Sequence, residues 1–200
     1  MIKRQLNRSY RISKYVFYRE TLVDSKELFW SFIGSFIGIG CIAFLQSLYL
    51  TETENVFLIG SFGATGVLIY GAIQSPLAQP RNLIGGHLIS AFIGVTVYKI
   101  IPDIIWLSAP LAVSLSIAAM QFTKTLHPPG GATALIAVIG TEKIKALGYL
   151  YIVTPVLSGV LIMLIVALVF NNITPMRSYP VKGRFARMVN VFGKNKNKGK

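Results

Sequence analysis

Polar positions are so sparse along this chain that its pattern is read from where the charges stop. Uncharged runs cover Ser31–Leu50, Asn55–Pro80, Ile104–Thr123, Leu126–Thr141 and Ala146–Met176. Neither strand-like alternation nor the one-sided stripe of a surface helix organises the apolar residues inside them. A bilayer core of about 30 Å needs about 20 apolar residues in helical form, and several of these runs supply that. The pattern predicts an all-α polytopic membrane protein with six apolar segments, near 30–50, 57–74, 82–100, 104–123, 127–141 and 148–171.

Two of the segments resemble each other. "GATGVLIYGAI" begins at Gly63 and "GATALIAVIGT" at Gly131, an offset of 68 residues. Under that offset Ser90–Ala91 falls on Ser158–Gly159, and the apolar run at 82–98 overlays 150–166. The domain therefore divides into two units of three segments, about 30–100 and 104–171. An odd number of crossings per unit makes the second an upside-down copy of the first, the inverted repeat common in secondary transporters. Four full spans with the two "GAT" segments re-entrant is the alternative, since both arrangements keep the termini on one side.

Charge adds an orientation. The net charge is +13, yet residues 1–19 carry six basic side chains and no acid, and residues 176–200 carry eight and no acid. The middle is about neutral. We divide the chain into a basic segment 1–28, a transmembrane domain 29–172 and a basic tail 173–200. The positive-inside rule puts both termini in the cytoplasm, with the short acidic "TETEN" loop outside and Arg81 and Lys124 inside; Lys99, Lys143 and Lys145 oppose the rule mildly. The tails suit anionic lipid, with Tyr10, Tyr15, Phe17, Tyr18 and Trp30 as interfacial anchors. Nucleic acid is not an expected partner, and a homo-oligomer is allowed. The first apolar run starts near Phe29 behind a charged leader, so no cleavable signal peptide is expected.

Candidate chemistry is confined to a few positions. Cys41 is the only cysteine, which rules out an internal disulfide, and His87 and His127 are too few for a zinc site. No metal or cofactor is expected. There is no nucleophile–base pair, no HExxH and no phosphate loop, so the chain does not read as an enzyme. In "LHPPGGATALIAVIG", Pro128 and Pro129 cannot sit inside a regular helix, and Gly130 and Gly131 allow close approach. A helix is predicted to start near Ala132, within the membrane, and its counterpart near Ala64 after extended chain at 57–63. Free amides at each start are worth about half a positive charge, so two facing ends suit one small monovalent anion. The candidate binding residues are Ser61, Gly63, Ala64, Thr65, His127, Gly130, Gly131, Ala132 and Thr133. Arg81, Asn82 and His87 are accessory: Arg81 as an anion attractor, Asn82 as a helix cap, His87 as a costly intramembrane ionisable group. Glycine-rich packing faces are the competing explanation.

The same residues carry a resemblance. "LHPPGGATALIAVIG" contains the His-Pro-Pro signature of the HPP family of integral membrane proteins, and Gly60–Ser90, "GSFGATGVLIYGAIQSPLAQPRNLIGGHLIS", is similar to that family's other characteristic segment. It covers about residues 30–172. The resemblance implies about four transmembrane helices, which favours re-entrant "GAT" segments. Some members in photosynthetic lineages are implicated in nitrite transport, and others are fused to CBS regulatory domains, for which this chain has no room. The expectation is a transporter or channel for a small inorganic anion, nitrite first, in a bacterial inner membrane. A non-transporting scaffold or lipid-binding protein is the alternative.

Overall fold

The computed structural model describes residues 25–48, 60–101, 104–173 and 177–181. The acidic loop and nearly all of both basic tails, with Tyr10, Tyr15, Phe17 and Tyr18, lie outside these; Trp30 stands in the first turns of the first helix. Helix α1 is Ser25–Ser47. Helix α2 is helical from residue 60 and continues as π-helical turns over Val67–Gly71. A 3₁₀ turn, Pro76–Ala78, is capped by Ser75, whose Oγ accepts from the Leu77 amide at 3.2 Å. Then come α3 (Pro80–Ile100), α4 (Ile105–Phe122), α5 (Pro129–Ile139), the short α6 (Glu142–Ala146) and α7 (Ile152–Phe170).

Among the described residues four helices, α1, α3, α4 and α7, are long and apolar enough to cross a membrane. The two "GAT" segments become the shorter α2 and α5. Each predicted apolar segment is thus a helix, and the short ones are those that carry the repeat.

End contacts fix the path. At one end Arg177 Nη1 donates to the Glu27 carbonyl (3.1 Å), Tyr179 Oη to the Ala78 carbonyl (2.7 Å) and Arg81 Nη2 to the Thr123 carbonyl (3.0 Å). The start of α1 therefore shares an end with the close of α2, the start of α3 and the closes of α4 and α7. At the opposite end the Lys99 ammonium lies 5.7 Å from the Tyr149 ring centre, and Lys145 lies 5.2 Å from that of Tyr98. Successive long elements run in alternating directions, so α2 and α5 point opposite ways.

Helix α3 is the hub, packed against α4, α5 and the opening of α7. Lipid tails give helices no hydrophobic reason to associate, so close backbone approach through small residues must hold them. Gly94 provides it: a Cβ there would stand 2.5 Å from the Ala134 carbonyl oxygen and 2.8 Å from its Cα. Gly34 and Gly38 do the same on α1, where they accept the ring of Tyr70, whose hydroxyl donates to the Met163 carbonyl at 3.1 Å.

Candidate functional site

Five hydroxyl and imidazole side chains converge where α2, α3 and α5 meet. Ser61 and Thr65 come from α2, His87 from α3, His127 from the turn before α5, and Thr133 from α5. None is more than 3% exposed. Ser61 and Thr65 stand four residues apart, as do Pro129 and Thr133, so each pair faces one way. His87 is about 10 Å along α3, at 1.5 Å per residue.

The repeat-related threonines grip the two nitrogens of one ring. Thr65 Oγ1 lies 2.8 Å from His87 Nε2, and Thr133 Oγ1 lies 2.7 Å from His87 Nδ1. Thr65 Oγ1 also reaches His127 Nε2 at 3.2 Å, His127 Nδ1 meets the Leu77 carbonyl at 2.8 Å, and Ser61 Oγ meets Thr133 Oγ1 at 2.8 Å. Proton positions follow from the far end. A carbonyl only accepts, so His127 Nδ1 donates to Leu77, and in a neutral ring its Nε2 accepts from Thr65. Thr65 then accepts from His87 Nε2–H, His87 Nδ1 accepts from Thr133, and Thr133 accepts from Ser61. One continuous chain satisfies every group without a charge.

The helix starts differ from the expectation. Backbone is already helical at residue 60, so Gly63 and Ala64 lie inside α2, and α5 begins at Pro129 rather than Ala132. Proline is disfavoured in a helix interior but suited to its first position, where no amide bond is lost. The amides assumed free are in use: Gly130 N–H donates to the His127 carbonyl (2.8 Å) and Gly131 N–H to that of Pro128 (3.1 Å). Ala64 is exposed, Gly63, Gly131 and Ala132 are half-buried, and only Val113, at 3.8 Å, lies near a Cβ built on Gly131. Gly130 is the tight position, its added Cβ 2.7 Å from Ser90 Oγ and 2.9 Å from the Gly86 carbonyl. Asn82 stands within the first turn of α3 and donates to the Leu126 carbonyl (2.8 Å), so it ties a loop and does not cap. Arg81 is on the outside, on Thr123.

Three participants had little signal in the sequence. The Leu77 carbonyl is backbone and had none. Phe62 lies 5.7 Å, centre to centre, from the His87 ring. Tyr151 Oη donates to the Thr133 carbonyl at 3.0 Å, and a tyrosine opening a long apolar run was its only mark. Among the described residues no three His, Cys, Asp or Glu side chains group together as a metal site would require.

His127 lies outside the four long helices. Burial pushes its imidazole down to about 4, against a smaller upward pull from the Leu77 carbonyl. The unfolded chain takes up that proton near 6.5 and the folded chain refuses it until about 4, so stability is full above the upper value and falls as pH drops between the two. We expect the melting temperature in detergent to be flat from about pH 8 to 7 and to decline below about 6.5, with His127→Gln removing part of the decline. An identical decline in the variant would take His127 out of the acid response.

Comparison with known proteins settles the kinship of this domain. The sequence model for the HPP transmembrane region matches residues 20–180. The chain belongs to the HPP family. It is similar to two transmembrane proteins of Dictyostelium discoideum, 48% identical over 164 residues and 47% identical over 166 residues. Those matches cover 79% and 82% of this chain but only 51% and 58% of the relatives, so this HPP domain spans little more than half their length. Both relatives come from a eukaryote and lend no weight to a bacterial membrane. No solved structure matches.

Proposed function

We propose that this HPP protein carries a small monovalent anion, nitrite in the first instance, through the polar centre between α2, α3 and α5. The observation behind this reading is the sealed cluster of three hydroxyls and two imidazoles, inside a domain where polar groups are otherwise scarce. Ionisable groups at membrane depth are expensive, and function is the usual reason for keeping them. The donors are hydroxyls and ring N–H groups, in place of the helix-end amides first expected. Short helices entering from opposite sides, each lending one threonine, suit an inverted repeat with a site near its axis. The positive-inside rule puts the shared end of α1 and α7 in the cytoplasm.

A specific observation also favours a scaffold or lipid-binding protein. An apolar cleft of about 550 Å³ lies between α3 and α4, lined by Phe92, Ile100, Leu111, Leu115 and Phe122 among others, and an acyl chain would fit such walls. Flux of nitrite into proteoliposomes separates the two. We expect uptake well above that of empty liposomes, lost in His87→Leu while the variant still purifies folded. Uptake no faster than in empty liposomes would leave the lipid-binding reading.

A further inference from the structure

The polar centre holds more acceptors than its neutral state uses. Thr65 Oγ1 lies 3.2 Å from the Ser61 carbonyl, and the Pro129 carbonyl lies 3.1 Å from Ser61 Oγ and 3.4 Å from Thr133 Oγ1. These spare carbonyls matter when a ring gains a proton. If His127 Nε2 becomes N–H, it donates to Thr65 Oγ1, and the Thr65 hydroxyl turns to the Ser61 carbonyl. If His87 Nδ1 becomes N–H, it donates to Thr133 Oγ1, and the Thr133 hydroxyl turns to Pro129. Either ring can be charged with no hydrogen bond lost.

The number of protons is set by spacing. The two ring centres are 5.0 Å apart, and two like charges that close in a dry interior strongly disfavour each other. No charged side chain is bonded to either ring among the described residues. From α2 they meet Thr65 and Phe62, from the 3₁₀ turn the Leu77 carbonyl, and from α5 Thr133. The titratable Tyr151, just before α7, stands one residue removed, on the Thr133 carbonyl, while Gly86 of α3 and Thr125 beyond α4 bring no charge. Among the described residues nothing compensates one proton, and an anion in the centre would.

We infer that His127, Thr65 and His87 form a binding unit for one proton that enters together with the anion, so that the pair crosses without net charge. The inference rests on the anion reading above for its cargo. Transfer within the unit balances: the His127 Nε2–H bond breaks as a Thr65 O–H bond forms, and the original Thr65 O–H bond breaks as His87 Nε2–H forms. The receiving His87 starts as the Nδ1–H tautomer. Thr65 is the shuttle, neither source nor sink.

The test uses the whole 200-residue chain in proteoliposomes holding a pH-sensitive dye, with nitrite as the probe. Wild-type uptake should acidify the lumen, follow a proton gradient and ignore an imposed membrane potential. Thr65→Val keeps the side-chain shape and deletes the shuttle, so proton-linked net uptake should fall by about a hundredfold or more, the ordinary scale for a lost proton-transfer group. Exchange of labelled for unlabelled nitrite, which needs no net proton but loses one hydroxyl of the site, should fall clearly less than net uptake, and Thr65→Ser should restore both. Unchanged acidification in Thr65→Val, or equal loss of exchange and net uptake, overturns the shuttle. Nitrogen-15 spectra of the two histidines, taken without any anion, read the unit apart from its cargo. Both rings should shift in one joint acid step in wild type and in separate steps in Thr65→Val. Two independent steps in wild type overturn the inference even if nitrite is carried, and a joint step supports the proton unit even if it is not.

Discussion

Gly130→Leu should yield no folded protein, while the neighbouring Gly131→Leu yields a stable one. The added Cβ at Gly130 meets Ser90 Oγ, the Gly86 carbonyl and Met120 Sδ, all within 3.1 Å. Two of those three atoms belong to α3, and the backbone oxygen among them cannot swing aside as a flexible side-chain tip can. Overpacking a well-filled interior costs about 1–3 kcal/mol, and pressure on backbone puts this case at or above the upper figure. At Gly131 the nearest atom is a Val113 methyl at ordinary contact distance. Gly63 has nothing within 4 Å, so Gly63→Leu belongs with Gly131→Leu. Monodispersity on size exclusion and melting temperature in detergent check all three. A well-folded Gly130→Leu would mean that α3 and α5 separate more readily than their spacing implies.

Arg177→Met should be the second severe change, although it falls in a stretch that reads as an ordinary basic tail. The guanidinium is 3% exposed. Nη2 donates to the Tyr70 carbonyl (2.6 Å) and Asn171 Oδ1 (2.9 Å), Nη1 to the Glu27 carbonyl and Ser31 Oγ (3.2 Å), and Glu27 Oε2 lies 3.5 Å away. Methionine fills the volume but leaves Asn171 Oδ1 and Glu27 without their donor. Removing one partner from a buried charged network costs about 3–5 kcal/mol; Glu27 keeps some water, so the lower figure applies here. Arg81→Met is the control, an exposed side chain with one bond to Thr123, expected within about 1 kcal/mol of wild type. Equal melting temperatures for the two variants would refute the locking role of Arg177.

How much was legible in the sequence follows from what kind of signal each feature leaves. Helical content and the "GAT" pair were plain, because uncharged length and repetition survive without coordinates. Thr65 and Thr133 could be singled out as equivalents for the same reason. That both would hold one imidazole could not, since it depends on how α2 and α5 rotate about their axes. Gly63, Ala64, Gly131 and Ala132 went into the candidate site as the free-amide starts of two repeat-related helices. A helix turns about 100° per residue, so neighbours of an inward threonine face elsewhere. Pro128 and Pro129 misplaced the start of α5 because the prolines were read as barriers to a helix when they form its first turn. Arg177 was hidden among seven other tail cations that differ from it in nothing visible before folding.

The lock formed by Arg177 has a consequence for biogenesis. Of the four long helices described, α1 is the first to leave the ribosome, and the long helix it packs against, α7, comes after the other three. The residues that fasten its start, Arg177 and Asn171, emerge about 150 positions after Glu27. During synthesis α1 therefore waits in the lipid with α2 against its Gly34 and Gly38, while α3, α4 and α5 assemble around their glycines. Its docking closes the structure. A chain arrested before α7 would leave α1 with α2 but without its long partner, a species that membrane quality control could recognise by that one half-covered helix.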